Sequence, residues 1–254
     1  VSHSQHTLPW LEAGQLFPPV EQAWGQKSDA PGLLCAGADL SIETLRQAYQ
    51  GGIFPWFSQG QAILWWSPDP RMVLEIANFR LHPSLKKQVK NFAHSPGCEI
   101  RVDSTFNEVI NACAQNTRIG QNGTWIVPAM VQAYQQLHLA GLVHSVEVWA
   151  NGHLTGGLYF VAIGRAVFGE SMFHRTTDAS KIALAALVAM CRQFDIRQID
   201  CQQNTRHLAS LGAAEMPRAE FLNRVKEAAV KPEPCWIFSP VYWTHILTSN
   251  PVSQ

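Results

Sequence analysis

The sequence predicts an α+β fold, with two observations behind it. Apolar residues recur at helical spacing through the first half, and the period changes to two from Ser145 before a helical pattern resumes near Ala179. A third observation, the Pro68-Asp69-Pro70 step after an aromatic-dense stretch, predicts a boundary between a small N-terminal domain, 1–70, and a larger domain, 71–254.

Residues 1–33 are rich in Pro, Gly and aromatics without periodicity, and read as an irregular arm. Asp39-Leu40-Ser41 offers caps for a helix over Ile42–Gln50 that Gly51-Gly52 stops. Arg71–Ile76 alternates like a strand, and Ser84–Phe92 reads as a basic helix. Thr105 and Glu108 have capping-box spacing ahead of an apolar run to Ala114. Pro128 suits the first turn of a helix that Gly141 ends. Asn151-Gly152 tolerates the positive φ of a type I′ turn, so Ser145–Trp149 and Leu154–Val161 read as a hairpin. A strand over Ala166–Met172, a helix over Ala179–Arg192, a strand at Ile199 and helices near Thr205–Leu211 and Ala219–Val230 complete the pattern.

Nineteen basic and nineteen acidic residues give zero net charge, so any contact with nucleic acid must come from a local patch. The best apolar run, Ile182–Met190, is far short of the roughly 20 residues that a bilayer needs, and the first residues lack the apolar stretch of a signal peptide. The six cysteines form no Cys-x-x-Cys pair and no zinc-like spacing with His, so free thiols, a cytoplasmic setting and no metal site are expected.

Gly169-Glu170-Ser171-Met172-Phe173 ends a predicted strand but lacks the second glycine of a serine-hydrolase elbow, which argues against a nucleophilic Ser171. Glu170 sits among apolar neighbours and must either face solvent or serve a ligand such as an amine. In Ile199-Asp200-Cys201-Gln202-Gln203-Asn204, a strand period of two puts Asp200 and Gln202 on one face, whereas Asn204 is read as a helix cap. The cluster Trp56, Phe57, Trp65, Trp66 reads as core or as a stacking surface. Between residues 71 and 92, Arg71, Arg80, Lys86, Lys87 and Lys90 face Glu75 alone, and the three lysines share a helix face suited to phosphate.

Together these motifs resemble the bacterial leucyl/phenylalanyl-tRNA–protein transferase family. The resemblance rests on Gly37-Ala38-Asp39-Leu40-Ser41, Tyr49-Gln50-Gly51-Gly52-Ile53-Phe54-Pro55-Trp56-Phe57, Trp65-Trp66-Ser67-Pro68-Asp69-Pro70-Arg71, Gly123-Thr124-Trp125-Ile126, His144 to Trp149, Gly169 to Phe173 and Ile199 to Gln202. It implies a C-terminal domain similar to the GCN5-related acetyltransferases. It implies transfer of Leu or Phe, and Met weakly, from aminoacyl-tRNA to the α-amine of proteins beginning with Arg or Lys, which marks them for degradation. No cofactor is implied, and a monomer is expected. The implied aminoacyl pocket is Trp56, Trp125, Tyr134, Leu158, Val167, Gly169 and Ile182, and the implied polar active-site positions are Glu170, Asp200 and Gln202. Lys86, Lys87 and Lys90 would meet the tRNA.

An aminoacyl ester is already activated, so the enzyme must bring amine and ester together, accept a proton and stabilise an oxyanion. Asp200 is expected to accept the proton or orient the amine, with Gln202 aligning it and Glu170 binding an amine or basic side chain; alternatively the tRNA 3′ hydroxyl takes the proton and Asp200 acts electrostatically. An acyl-CoA-dependent N-acetyltransferase would want a Gly-rich loop before residue 179, where the chain reads His174-Arg175-Thr176-Thr177-Asp178. A non-catalytic RNA-binding module leaves Glu170, Asp200 and Gln202 without a purpose.

Overall fold

A computed structural model describes residues 7–115 and 126–248. Residues 10–66 build a four-stranded sheet from β1 (Trp10–Leu11), β2 (Leu33–Gly37), β3 (Phe54–Pro55) and β4 (Leu64–Trp66), in the order β1-β2-β4-β3. Most of these strands have two or three residues, too short to show an alternating pattern in the sequence. The helix α1 (Ile42–Gln50) follows its expected bounds, with the Ser41 side chain accepting from the Thr44 N–H.

The larger sheet has seven strands: β5 (Arg71–Glu75), β6 (Cys98–Val102), β7 (Val143–Ala150), β8 (His153–Ile163), β9 (Ala166–His174), β10 (Gln198–Gln202) and β11 (Ala214–Met216), in the order β11-β5-β10-β9-β8-β7-β6. The β7–β8 hairpin turns at Asn151 and Gly152, at φ +51° and +76°, as the dipeptide predicts. The pair β9–β10 is parallel, joined by α5 (Ala179–Gln193).

Strand alternation divides the core between the two faces. Leu158, Phe160 and Ala162 pack with α5, whereas Tyr159, Val161 and Ile163 pack with α3 (Phe106–Gln115), α4 (Pro128–Leu139) and the N-terminal sheet. Leu34, Tyr49 and Trp65 share this second cluster with Phe168 and with Phe221 of α7 (Arg218–Ala229), so the two sheets bury one continuous apolar interior. The basic helix α2 (Pro83–His94) and the short α8 (Thr244–Leu247) cover α5.

Two local expectations change. The Thr105 N–H donates to the buried Glu147 (2.8 Å), so a cross-chain carboxylate replaces the Glu108 arm of the capping box. The cap of α6 (Arg206–Ser210) is Thr205, whereas Asn204 donates to Glu215 (2.9 Å).

Gly52 ends α1 at φ +67°, and a Cβ there would sit 2.4 Å from Leu222 Cδ2 and 3.1 Å from Phe221 Cε1. The Gly52→Ala variant should lose about 1–2 kcal/mol from the left-handed backbone alone, or about 2–8 °C in Tm for a chain of this size. Thermal unfolding reads this directly; an unchanged Tm would show that the turn accepts a side chain.

Candidate active site

After Val167–Ile199 and Phe168–Asp200, the parallel pairing of β9 and β10 stops and the strands part. Each carries a bulge at that point. Tyr159 pairs with Ser171 and Phe160 with Gly169, which leaves Glu170 as the extra residue of β9. Asp200 pairs with Val73 and Gln202 with Met72, which leaves Cys201 as the extra residue of β10. Bulges re-aim the side chains around them. Gln202 takes φ +62°, so the strict period of two is broken at this point, and Asp200 and Gln202 both border the same cavity.

The gap opens into a cavity of about 560 Å3, lined by apolar Trp56, Leu158, Met172, Leu184 and Leu187 and by polar residues that include Glu170, Lys181, Asp200 and Gln202. Glu170 Oε1 accepts from the Tyr49 hydroxyl (2.7 Å) and from Gln202 Nε2 (3.0 Å), and Oε2 accepts from the Tyr134 hydroxyl (3.2 Å). The two tyrosine hydroxyls also hydrogen-bond each other. Part of Glu170 reaches the cavity, but its carboxylate is enclosed by protein groups, and this burial pushes its pKa up to about 8 against the pull of Tyr49. Burial, followed by the charge of Glu170, raises both tyrosines well above their ordinary range, so they remain neutral donors.

Asp200 is 1% exposed, with Arg71 Nε on Oδ1 (2.8 Å) and Arg71 Nη2 on Oδ2 (2.7 Å). Arg71 is itself fully buried, donates Nη1 to the Gly52 carbonyl (3.0 Å), and lies between the rings of Phe54 and Phe221 at 4.8 and 4.7 Å. Asp200 Oδ1 also accepts the Gln202 N–H (2.8 Å). Asp200 therefore borders the cavity with both carboxylate oxygens already engaged by Arg71.

Of the residues expected in a side-chain pocket, Trp56, Leu158 and Gly169 line this cavity. Tyr134 stands behind Glu170, and Trp125 lies outside the described residues. Val167 and Ile182 do not line it. Val167 points to the α5 layer. On α5, the lining residues Ser180, Lys181, Leu184 and Leu187 occupy an arc of about 120°, and Ile182 falls about 100° outside it. Trp65 belongs to the core, fully buried. Lys86, Lys87 and Lys90 are exposed on α2, away from the cavity. Tyr49 and Arg71 are not among the site residues that the sequence predicts, although Arg71 stands there among the cations between residues 71 and 92.

Among solved structures, a GCN5-related N-acetyltransferase from Kribbella flavida aligns over 66% of this chain and 58% of that one, at 12% identity and a TM-score of 0.34. The L-PGS of Bacillus licheniformis aligns over 76% and 64%, at 8% identity and a TM-score of 0.39. Scores this low carry no argument. Sequence relatives are far nearer. The protein named leucyl/phenylalanyl-tRNA–protein transferase in Albidiferax ferrireducens is 60% identical over 246 residues, covering 97% of each chain. Its namesake in a Polaromonas species is 62% identical over 243 residues, covering 96% of this chain and 95% of that one. The pattern of the leucyl/phenylalanyl-tRNA protein transferase family matches residues 73–226, and that of its N-terminal domain matches 38–69. With both patterns matched in order and the likeness running over nearly all of the chain, it belongs to the leucyl/phenylalanyl-tRNA–protein transferase family.

Proposed function

We propose that the cavity holds the side chain of the aminoacyl group of a Leu- or Phe-tRNA while Glu170 takes the proton from an incoming α-amine. The observation that carries this reading is a carboxylate held by Tyr49, Tyr134 and Gln202 on the wall of a largely apolar chamber, where burial favours its protonated form. In the reaction, the α-ammonium gives one proton to the Glu170 carboxylate, and the neutral nitrogen attacks the ester carbonyl carbon. The new C–N bond forms, the C–O bond to the tRNA ribose breaks, and the second nitrogen proton moves to the departing 3′ oxygen, which becomes a hydroxyl. A base near pKa 8 matches an α-amine of pKa about 7.7–8.0, so the transfer is close to balanced. Gln202 donates one amide hydrogen to Glu170, and its other N–H is available to the oxyanion. Asp200 is a positioning residue that fixes this turn from Arg71.

The acceptor is a protein beginning with Arg or Lys, and the tRNA meets the exposed Lys86, Lys87 and Lys90 of α2. The small N-terminal domain is read as residues 1–70 and the larger one as 71–254, a division supported by the change of sheet between Trp66 and Arg71. Six free thiols suit a reducing, cytoplasmic setting, and the working unit is a monomer.

Incubating the protein with labelled Leu-tRNA and an Arg-starting peptide should yield the extended peptide. Leu and Phe, unbranched at Cβ, should transfer about 10- to 200-fold faster than Ile and Val on matched tRNAs. No transfer of Leu would overturn the function, and equal rates for Ile and Leu would overturn the pocket.

Glu170→Gln should lower kcat by about 100-fold or more. The native rate should climb with pH through about 8, where Glu170 loses its proton. Stability should move the other way. Glu170 holds its proton more tightly folded, at about 8, than at its ordinary 4.5, so the folded state loses stability as pH rises from about 4.5 through 8. The Tm of Glu170→Gln relative to the native protein should therefore rise over that window; a constant difference would place the carboxylate in open solvent.

Asp200→Asn leaves Arg71 buried without its counter-charge and should cost about 3–5 kcal/mol in urea unfolding. A loss under about 1 kcal/mol would mean that the pair is hydrated and not structural.

A further inference from the structure

A second cavity, of about 1610 Å3, lies at the opposite end of the same strands. On β5 it begins at Glu75, against Arg71 at the reactive end, and on β10 at Gln198, against Gln202. Four residues on each strand separate the two cavities by about 13 Å. Along α5 the order is the same: Ser180, Leu184 and Leu187 line the reactive cavity, and Cys191 and Arg192 line the second.

Its lining is unlike that of the reactive cavity. Glu75 and Glu220 share one partner, Arg224, at 2.6 and 2.5 Å, so this trio keeps a single negative charge. Asp195 lies 3.9 Å from Arg165, leaving Glu227 as the remaining acid of the lining. Against it stand Arg80, Lys86, Arg197 and Lys231, which make no ion pair among the described residues. In a chain with zero net charge, this is a local concentration of cation. Lys86 belongs both to this groove and to the exposed lysine face of α2, so the groove and the helix face form one electropositive tract.

We propose that this groove is a docking surface for the sugar–phosphate backbone of the tRNA donor, beyond its aminoacylated end. The inference rests on the transferase reading above. A small anion bound here would sit too far from Glu170 to take part in the chemistry. A polymer with one reactive end has reason to meet both places: its aminoacyl terminus enters the apolar cavity while its backbone continues over the cations. Phosphate contacts of this kind fix register without reading sequence, so the groove serves tRNAs carrying either amino acid alike.

The test compares the full protein with the variant Arg80→Ala/Arg197→Ala/Lys231→Ala. All three positions are at the groove and outside the reactive cavity. For intact Leu-tRNA, affinity should fall at least about tenfold, and the slope of log K against log salt should drop by about 2–3, as expected for the loss of three phosphate contacts. Transfer from a leucylated 3′-terminal oligonucleotide, too short to reach the groove, should keep its native rate, which also verifies that the variant is folded. If native protein transfers leucine and the variant binds intact tRNA within about twofold of it with an unchanged salt slope, the groove proposal is overturned while the function stands. Equal losses for intact tRNA and the short donor would also overturn it, because the substitutions would then act on the reactive cavity or the fold. If native protein transfers from neither donor, the transferase reading fails and the groove proposal with it.

Discussion

The buried pair Arg71–Asp200 is the constraint on which the site depends. Two ions with essentially no exposure are held by two parallel hydrogen bonds at 2.8 and 2.7 Å. Desolvating both is costly, and such a pair survives only when its remaining donors and acceptors are satisfied. Here they are. Arg71 Nη1 reaches the Gly52 carbonyl, the guanidinium faces lie on Phe54 and Phe221, and Asp200 Oδ1 takes the Gln202 N–H. One ion pair thus fastens the α1 terminus and the N-terminal sheet to β5, β10 and α7. The same Oδ1 contact holds Gln202 in the left-handed region, where a non-glycine residue is strained. Without the pair, nothing in the strand itself would turn the Gln202 amide toward Glu170.

Long periodic elements were legible in the sequence. Helix α1, the β7–β8 hairpin and α5 follow their expected bounds to within a few residues, because each has many residues obeying one period and a cap or turn to end it. The four-stranded sheet was not legible, because its short strands are held by pairing and burial and show no pattern of their own. At the site, Glu170 and Gln202 were visible as polar residues at strand ends among apolar neighbours. Their geometry was not, because each depends on a bulge, and a bulge has no sequence signature that a strict period can carry. Tyr49 and Arg71 could be placed only by tertiary structure: Tyr49 reaches Glu170 across 121 positions, and Arg71 reaches Asp200 across 129. In the sequence, Tyr49 is one residue of a longer motif at the end of a helix, and Arg71 is one of five cations between residues 71 and 92. The one available signal was their place beside Gly51-Gly52 and Pro68-Asp69-Pro70, two turn-forming steps that the same ion pair brings together.

Two carboxylates near one cavity have been given different surroundings, and that difference divides their work. Asp200 has a paired guanidinium and is only 1% exposed. Glu170 has no cation of its own; its partners are neutral hydroxyls and an amide. Neutral donors stabilise a carboxylate less than a guanidinium does, so burial prevails and the pKa rises to about 8. The charge on Asp200 adds to that rise, and Arg71 opposes it. The ion pair therefore also screens the second carboxylate from the first, which lets both occupy one small region.

Proton demand explains why such a group suits amine attack on an ester. A carboxylate at its ordinary pKa would be a weak base toward an ammonium of pKa about 8, and proton transfer to it would run uphill by several units. Raising the acceptor to meet the donor removes that deficit, and the cost is carried by the fold, which must keep a carboxyl group enclosed. The tyrosines make this bearable. Each is buried and neutral, and the hydroxyl of Tyr134 can turn between Glu170 Oε2 and the Tyr49 oxygen as the charge on Glu170 changes. A pair of rotatable hydroxyls adjusts to both protonation states without moving the backbone, whereas a fixed guanidinium in the same place would hold the carboxylate in one. Arg71 is engaged by Asp200, and in the proposed reaction Glu170 is the carboxyl group that gains and loses a proton.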